Sequence, residues 1–146
     1  MEDLTANNTI NARAVKVISE FEQFKDWESK YKYLIALGKQ LPDLDLQYKT
    51  DAFKVKGCQS QVWLVPRFED GLVKFSADSD ASITKGIVAL LVTIYSNSPA
   101  HEILSFKPDF IDKIGLRQHL SMSRANGLTS MFKQILYYAM AFKAQV

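Results

Sequence analysis

The chain of 146 residues contains one cysteine, two histidines and four prolines. A single cysteine forms no disulfide within the chain, which fits a reducing cytoplasm. It also falls short of the roughly four ligands that a structural zinc or an iron–sulfur cluster takes. Neither histidine stands near a second ligand at metal spacing, and no glycine-rich phosphate loop or Schiff-base lysine motif is present. No bound metal or cofactor is therefore expected. Long apolar runs are missing as well. The longest, Ile87 to Tyr95, has nine residues including a threonine, against about 20 for a membrane span. The net charge of +2 is too small to imply nucleic acid or an anionic membrane surface as partner. Met1 to Asn8 lacks the basic-then-apolar layout of a signal peptide. What remains, 47% hydrophobic and 23% charged, is the composition of an ordinary soluble protein. Residues 1–10 read as a flexible tail, and 11–146 as a single domain long enough to bury a core.

Apolar periodicity sets the order of elements. Ala14, Val17, Ile18, Phe21 and Phe24 recur at three- and four-residue steps, which predicts an amphipathic helix capped by Asn11. Asp26 caps a second helix that carries Trp27, Tyr31, Leu34, Ile35, Gly38 and Leu41 on one face and stops before Pro42. After a polar loop, Phe53 and Val55 alternate with Lys54 and Lys56 as a short strand ended by Gly57. Val62 to Phe68 reads as a second strand, which Pro66 confines to an edge or a bulge. Glu69-Asp70-Gly71 is a turn signal, and Leu72 to Ala77 returns with Val73, Phe75 and Ala77 on one face.

Ile83 to about Ser96 is apolar on nearly every side, the mark of a buried central helix. Within it Gly86 would admit another backbone or the cysteine loop. Ser98-Pro99 opens a short helix to about Leu104, and Pro108 to Ile114 forms another that ends at Gly115. After a tight connector, Leu116 to Ser121, the last helix runs from about Ser123 to Lys143. Its stripe is Leu128, Met131, Phe132, Ile135, Ala139 and Phe142. The fold class is α+β: a small antiparallel sheet of about three strands with helices packed over one face.

Cys58 is the residue with the most chemical potential. Gly57 before it gives the backbone freedom, and Gln59, Ser60 and Gln61 after it are poor neighbours for a core position. They offer hydrogen-bond donors to a thiolate, and Lys54 and Lys56 add positive potential of the kind that lowers a thiol pKa. The alternative is an inert packing cysteine. Arg124, near the start of the last helix, is disfavoured there by the helix dipole, so it is either solvated or aimed at an anion, with Gly127 permitting close packing. Asp78 and Asp80 suit capping of the central helix better than a metal pair. His119 with Cys58 would make a thiol-hydrolase pair if the fold brought them together.

Gly57-Cys58-Gln59-Ser60-Gln61-Val62-Trp63 resembles the cysteine motif of the SufE/CsdE family of sulfur-acceptor proteins. Three further stretches agree, in the same order. Trp27 through Pro42, with Tyr31 and Leu37-Gly38, is similar to the family's second helix. Asp78-Ser79-Asp80-Ala81 with Lys85-Gly86 resembles the start of its central helix. Gln118-His119-Leu120, Ser123-Arg124 and Gly127-Leu128 resemble its C-terminal signature, with Met122 standing where a proline is usual. The resemblance covers Asp26 to the end of the chain. It implies a fold like that of the IscU scaffold and a protein that stimulates a cysteine desulfurase. Pyridoxal phosphate would be held by that partner alone. Cys58 would accept sulfur as a persulfide and pass it to an iron–sulfur scaffold or another acceptor. Gly57, Gln59, Ser60 and Gln61 would form the loop that meets the partner, sheltered until docking, and Asp78, His119 and Arg124 would flank the cysteine. A Cys-His hydrolase and a redox-sensor thiol are the competing readings.

Overall fold

The structure, a computed structural model, describes residues 9–145. Within these residues α1 spans Ile10–Glu22 and α2 spans Trp27–Lys39. Two 3₁₀ turns, Leu46–Tyr48 and Asp51–Phe53, lead into the cysteine loop. A hairpin follows, β1 Val62–Glu69 and β2 Leu72–Ser79, and then α3 Ser82–Tyr95. The chain closes with α4 Ala100–Ser105, α5 Phe110–Ile114, a 3₁₀ turn Arg117–His119 and α6 Met122–Lys143. The α+β class is borne out.

The hairpin has the chemistry its sequence demands. Asp70 and Gly71 both have positive φ, 55° and 77°, which a two-residue turn of the right twist requires. Pairing runs from Val62 opposite Ser79 to Glu69 opposite Leu72. Val73, Phe75, Ala77 and Ser79 alternate into the interior, and Val62 and Leu64 join them from β1. Helix α3 packs on this face. Nine of its fourteen residues are buried, as the all-round apolar pattern requires.

The expected third strand is not there. Lys54 forms a single bridge with Trp63, and Val55 N–H donates to Val62 O at 2.8 Å. Pairing stops on both sides of those residues. Asp51–Phe53 is wound into a 3₁₀ turn, and Gly57 turns the chain away with φ 90°. Two alternating residues between two turns are too few for a strand.

Of the expected helix caps, one moved to a neighbouring hydroxyl, one held, and one has no side-chain oxygen at all. Thr9 rather than Asn11 caps α1, accepting from Ala12 N–H at 3.1 Å, and Ile10 is fully buried. The rest of the expected tail, residues 1–8, lies outside the described residues. Asp26 caps α2 as anticipated, accepting from Ser29 N–H at 2.7 Å. Asp78 and Asp80 do not cap α3. Asp78 is still paired within β2, Asp80 faces Gln61, and the residue at the cap position is Ala81. Ser121 caps α6 by accepting from Arg124 N–H.

Gly86 serves α2 and not the cysteine loop. A Cβ there would stand 2.2 Å from Leu34 O, and one on Gly38 would stand 2.9 Å from Gly86 N. These paired glycines let α2 and α3 approach backbone to backbone. The glycine that meets the cysteine is Gly127, on α6.

Candidate functional site

Cys58 lies on the loop between Val55 and Val62, and the turn that carries it depends on Gly57. With φ 90° and only 2.6 Å from a built Cβ to Ser130 Oγ, that position has room for no side chain. Gly57 and Cys58 thus settle on two successive turns of α6, the first against Ser130 and the second against Gly127. The Cys58 thiol points at Gly127 O from 3.7 Å, a weak S–H contact.

Two of the three polar residues after the cysteine act as anchors. Gln59 Oε1 accepts from Ser123 Oγ at 2.9 Å. Gln61 is held at both ends, its N–H donating to Asp80 Oδ1 at 3.0 Å and its carbonyl accepting from Asp80 N–H at 3.2 Å. These bonds fix the loop, and neither glutamine donates to Sγ, whose contact is Gly127 O. Ser60 lines the cavity beside them.

That cavity, of about 320 Å³, opens beside Cys58 between the loop, α3 and the first turns of α6. Ser121, Ser123 and Arg124 supply its polar side, Ile87 and Met131 its apolar side, and Thr84 lines it from α3. Helical spacing assembles these groups. Arg124, Gly127 and Met131 fall at i, i+3 and i+7 on one face of α6, and Thr84 and Ile87 at i and i+3 on α3. A wider groove of about 730 Å³ lies between α1 and α2, away from the cysteine.

Burial pushes the Cys58 thiol up from its ordinary value, opposite to the lowering expected from Lys54 and Lys56. Half-buried, the thiol loses water more than it gains from any cation. In this closed arrangement Cys58 is mostly protonated at neutral pH.

The three expected flanking residues part company. Arg124 lines the Cys58 cavity. Asp78 does not. It bridges Lys49 at 2.9 Å and Lys85 at 3.2 Å, joining the 3₁₀ segment and α3 to β2. Burial alone would raise the Asp78 carboxyl, but hydrogen bonds from Lys49, the Ser79 N–H and Lys85 together hold it below the usual carboxylate range. His119 also lies outside the cavity lining. Its ring stacks on Trp27 at 3.9 Å, its Nδ1 meets Gly115 O at 2.9 Å, and its carbonyl accepts from Tyr31 OH. It fastens the connector before α6 to α2. Among the described residues no group of three or more histidine, cysteine or acidic side chains is placed to hold a metal.

Thr84 and Ser123 are the site residues that sequence reasoning passed over. The signal for Thr84 was present: one hydroxyl three residues before Ile87, on a helix buried nearly all round. Ser123 stands in the sequence only as the neighbour of Arg124, with nothing local to mark its bond to Gln59.

The model of the SufE family, described as an Fe-S metabolism associated domain, matches residues 15–139. An uncharacterised SufE-like protein of Rhizobium etli is 44% identical over 125 residues, covering 82% of this chain and 84% of the relative. A second uncharacterised SufE-like protein, from Synechocystis, is 38% identical over 138 residues, covering 94% and 87%. The solution structure of a hypothetical protein from Thermus thermophilus shares the fold at a TM-score of 0.74 and 17% identity, covering 88% of this chain and 94% of that one. Family model and relatives agree over most of the chain, the cysteine loop and the α6 cavity included, and the chain belongs to the SufE family, whose place is in iron–sulfur metabolism.

Proposed function

We propose that this protein is a sulfur acceptor and carrier that stimulates a cysteine desulfurase and delivers sulfur for iron–sulfur cluster assembly. The observation that carries the reading is the seat of the chain's sole thiol: half-buried, loop-borne, and opening on a cavity lined by hydroxyls and Arg124. The Cys58 thiol loses its proton to solvent, and the thiolate attacks the outer sulfur of a persulfide on the desulfurase. The donor S–S bond breaks, the donor cysteine leaves as thiolate, and a new S–S bond forms on Cys58. No oxidant or reductant enters. The pyridoxal phosphate that first frees sulfur from cysteine belongs to the partner.

Two features support a carrier over a catalyst. No second thiol exists in the chain to attack the new persulfide and expel its sulfur. The raised pKa has burial as its cause, so a partner that draws the loop off α6 removes that cause and restores a reactive thiolate. The closed form protects the sulfur and the open form exchanges it. A hydrolase reading lacks support, because His119 is committed to Trp27 and Gly115.

The test is incubation with a cysteine desulfurase and free cysteine, followed by intact mass. We expect one added sulfur on the wild type and none on Cys58→Ser. Equal sulfur on both proteins, or faster peroxide than persulfide modification of Cys58, would overturn the reading.

A further inference from the structure

Three polar side chains are buried among the described residues: Ser79, Thr84 and Ser98. Ser79 Oγ accepts from Ala81 N–H, and Ser98 Oγ accepts from Arg13. Thr84, 6% exposed, makes no side-chain hydrogen bond to any described residue. A buried hydroxyl without a partner is costly, on the order of 1–3 kcal/mol. No fully enclosed side-chain oxygen among the described residues lacks a partner, so Thr84 Oγ1 is not sealed off, and Thr84 lines the Cys58 cavity. It does not reach Cys58 Sγ, whose hydrogen-bond contact is Gly127 O.

We propose that Thr84 is the donor that holds the terminal sulfur of the Cys58 persulfide. This rests on the carrier function above. An S–S bond adds about 2 Å beyond Sγ, and the cavity of about 320 Å³ has space for the added atom. A persulfide is more acidic than its parent thiol and carries its charge on the outer sulfur, which accepts hydrogen bonds. Burial against Ile87 and Met131 disfavours that charge, and the Thr84 hydroxyl offsets the penalty at the atom that bears it. Thr84 is thus a positioning residue for the loaded state and idle in the unloaded one. The anionic outer sulfur is a poor electrophile, so the same hydrogen bond delays loss of the sulfur to small nucleophiles.

The experiment loads Cys58 chemically with inorganic polysulfide, which needs no desulfurase, in wild type, Thr84→Val and Thr84→Ser. Valine keeps the shape and removes the donor, and serine restores it. The persulfide is titrated by its near-ultraviolet absorbance, the unloaded thiol is titrated by alkylation rate, and sulfur loss to cyanide is timed. Thr84→Val should raise the persulfide pKa by about one unit, the loss of one hydrogen bond to a charged group. It should speed sulfur loss several-fold and leave the thiol pKa in place, with wild-type behaviour returning in Thr84→Ser. Equal persulfide titrations in wild type and Thr84→Val, or thiol and persulfide shifting together, would overturn the assignment and leave the carrier function standing. A wild type that takes no sulfur on Cys58 from polysulfide or from a desulfurase overturns both.

Discussion

A Cβ on Gly127 would stand 3.2 Å from Cys58 Sγ, inside ordinary van der Waals contact. The absent side chain of one residue is the seat of the other. Gly127→Ala therefore separates two effects of opposite sign. Alanine gains about 1 kcal/mol over glycine inside a helix, while the new methyl presses the cysteine loop outward. We expect unfolding midpoints within a few degrees of wild type, and Cys58 alkylated several-fold faster by iodoacetamide. An unchanged alkylation rate would mean that the loop yields without opening.

Gly57 faces a harder constraint, because it combines φ 90° with a 2.6 Å approach to Ser130 Oγ. Gly57→Ala should destabilise by about 1–3 kcal/mol, the cost of a non-glycine residue in so sparsely populated a conformation. Adding Ser130→Ala removes the clash and not the backbone strain. The double variant should recover part of the loss in urea denaturation and never all of it.

How much of this was legible beforehand follows from the range of each interaction. Helices α1, α2, α3 and α6, the Asp70-Gly71 turn and the stop at Gly115 are written in local periodicity and turn chemistry, and all are present. Cys58 stood out because its polar neighbours contradict a core position. The third strand failed because alternation over Phe53 to Lys56 says nothing of the turns that cut it short on both sides. The direction of the cysteine pKa was missed because burial against Gly127 is a contact between residues 69 apart. Lys54 and Lys56 were visible in the sequence, and the desolvation was not. His119 and Asp78 share a motif neighbourhood with the site, but their partners, Trp27 and the two lysines, hold them elsewhere.

Asp78 ties stability to acid. Its folded carboxyl lies below the ordinary value, so the stability it adds is fully present above the unfolded pKa of about 3.9 and is lost as pH falls through the folded value. Asp78→Asn should cost about 1–2 kcal/mol at pH 7, since it leaves two partly buried lysines without their counter-charge. It should also flatten the acid side of the stability profile. Denaturation curves at pH 7 and across the acid range test both, and an unchanged acid slope would show that another carboxylate controls it.

Cys58 behaves in the opposite sense. Its folded pKa is raised, so its contribution to stability is complete below the unfolded thiol pKa of about 8.5 and is lost as pH climbs through the folded value. Alkylation should rise with pH along a curve whose midpoint lies above that of a free thiol. Mild urea should open the loop before it unfolds the core, and the midpoint should then move down toward the free-thiol value. A midpoint below it in native buffer would show that a cation outweighs burial.

The Ser123 hydroxyl donates to Gln59 Oε1 at 2.9 Å, while Ser121, two residues earlier, caps α6. Removing each should have a different signature. Ser121→Ala loses a helix cap, about 1 kcal/mol of global stability, and lowers the unfolding midpoint. Ser123→Ala loses a bond between a loop and a helix that stays formed without it, so its effect falls on local opening. A hydrogen bond of about 1 kcal/mol corresponds to roughly fivefold in the open population. Cys58 alkylation in Ser123→Ala should therefore rise about fivefold, with little change in the midpoint, and sulfur loss from a loaded Cys58 should rise with it. If Ser121→Ala and Ser123→Ala change alkylation and stability in the same proportion, the loop does not open independently of α6.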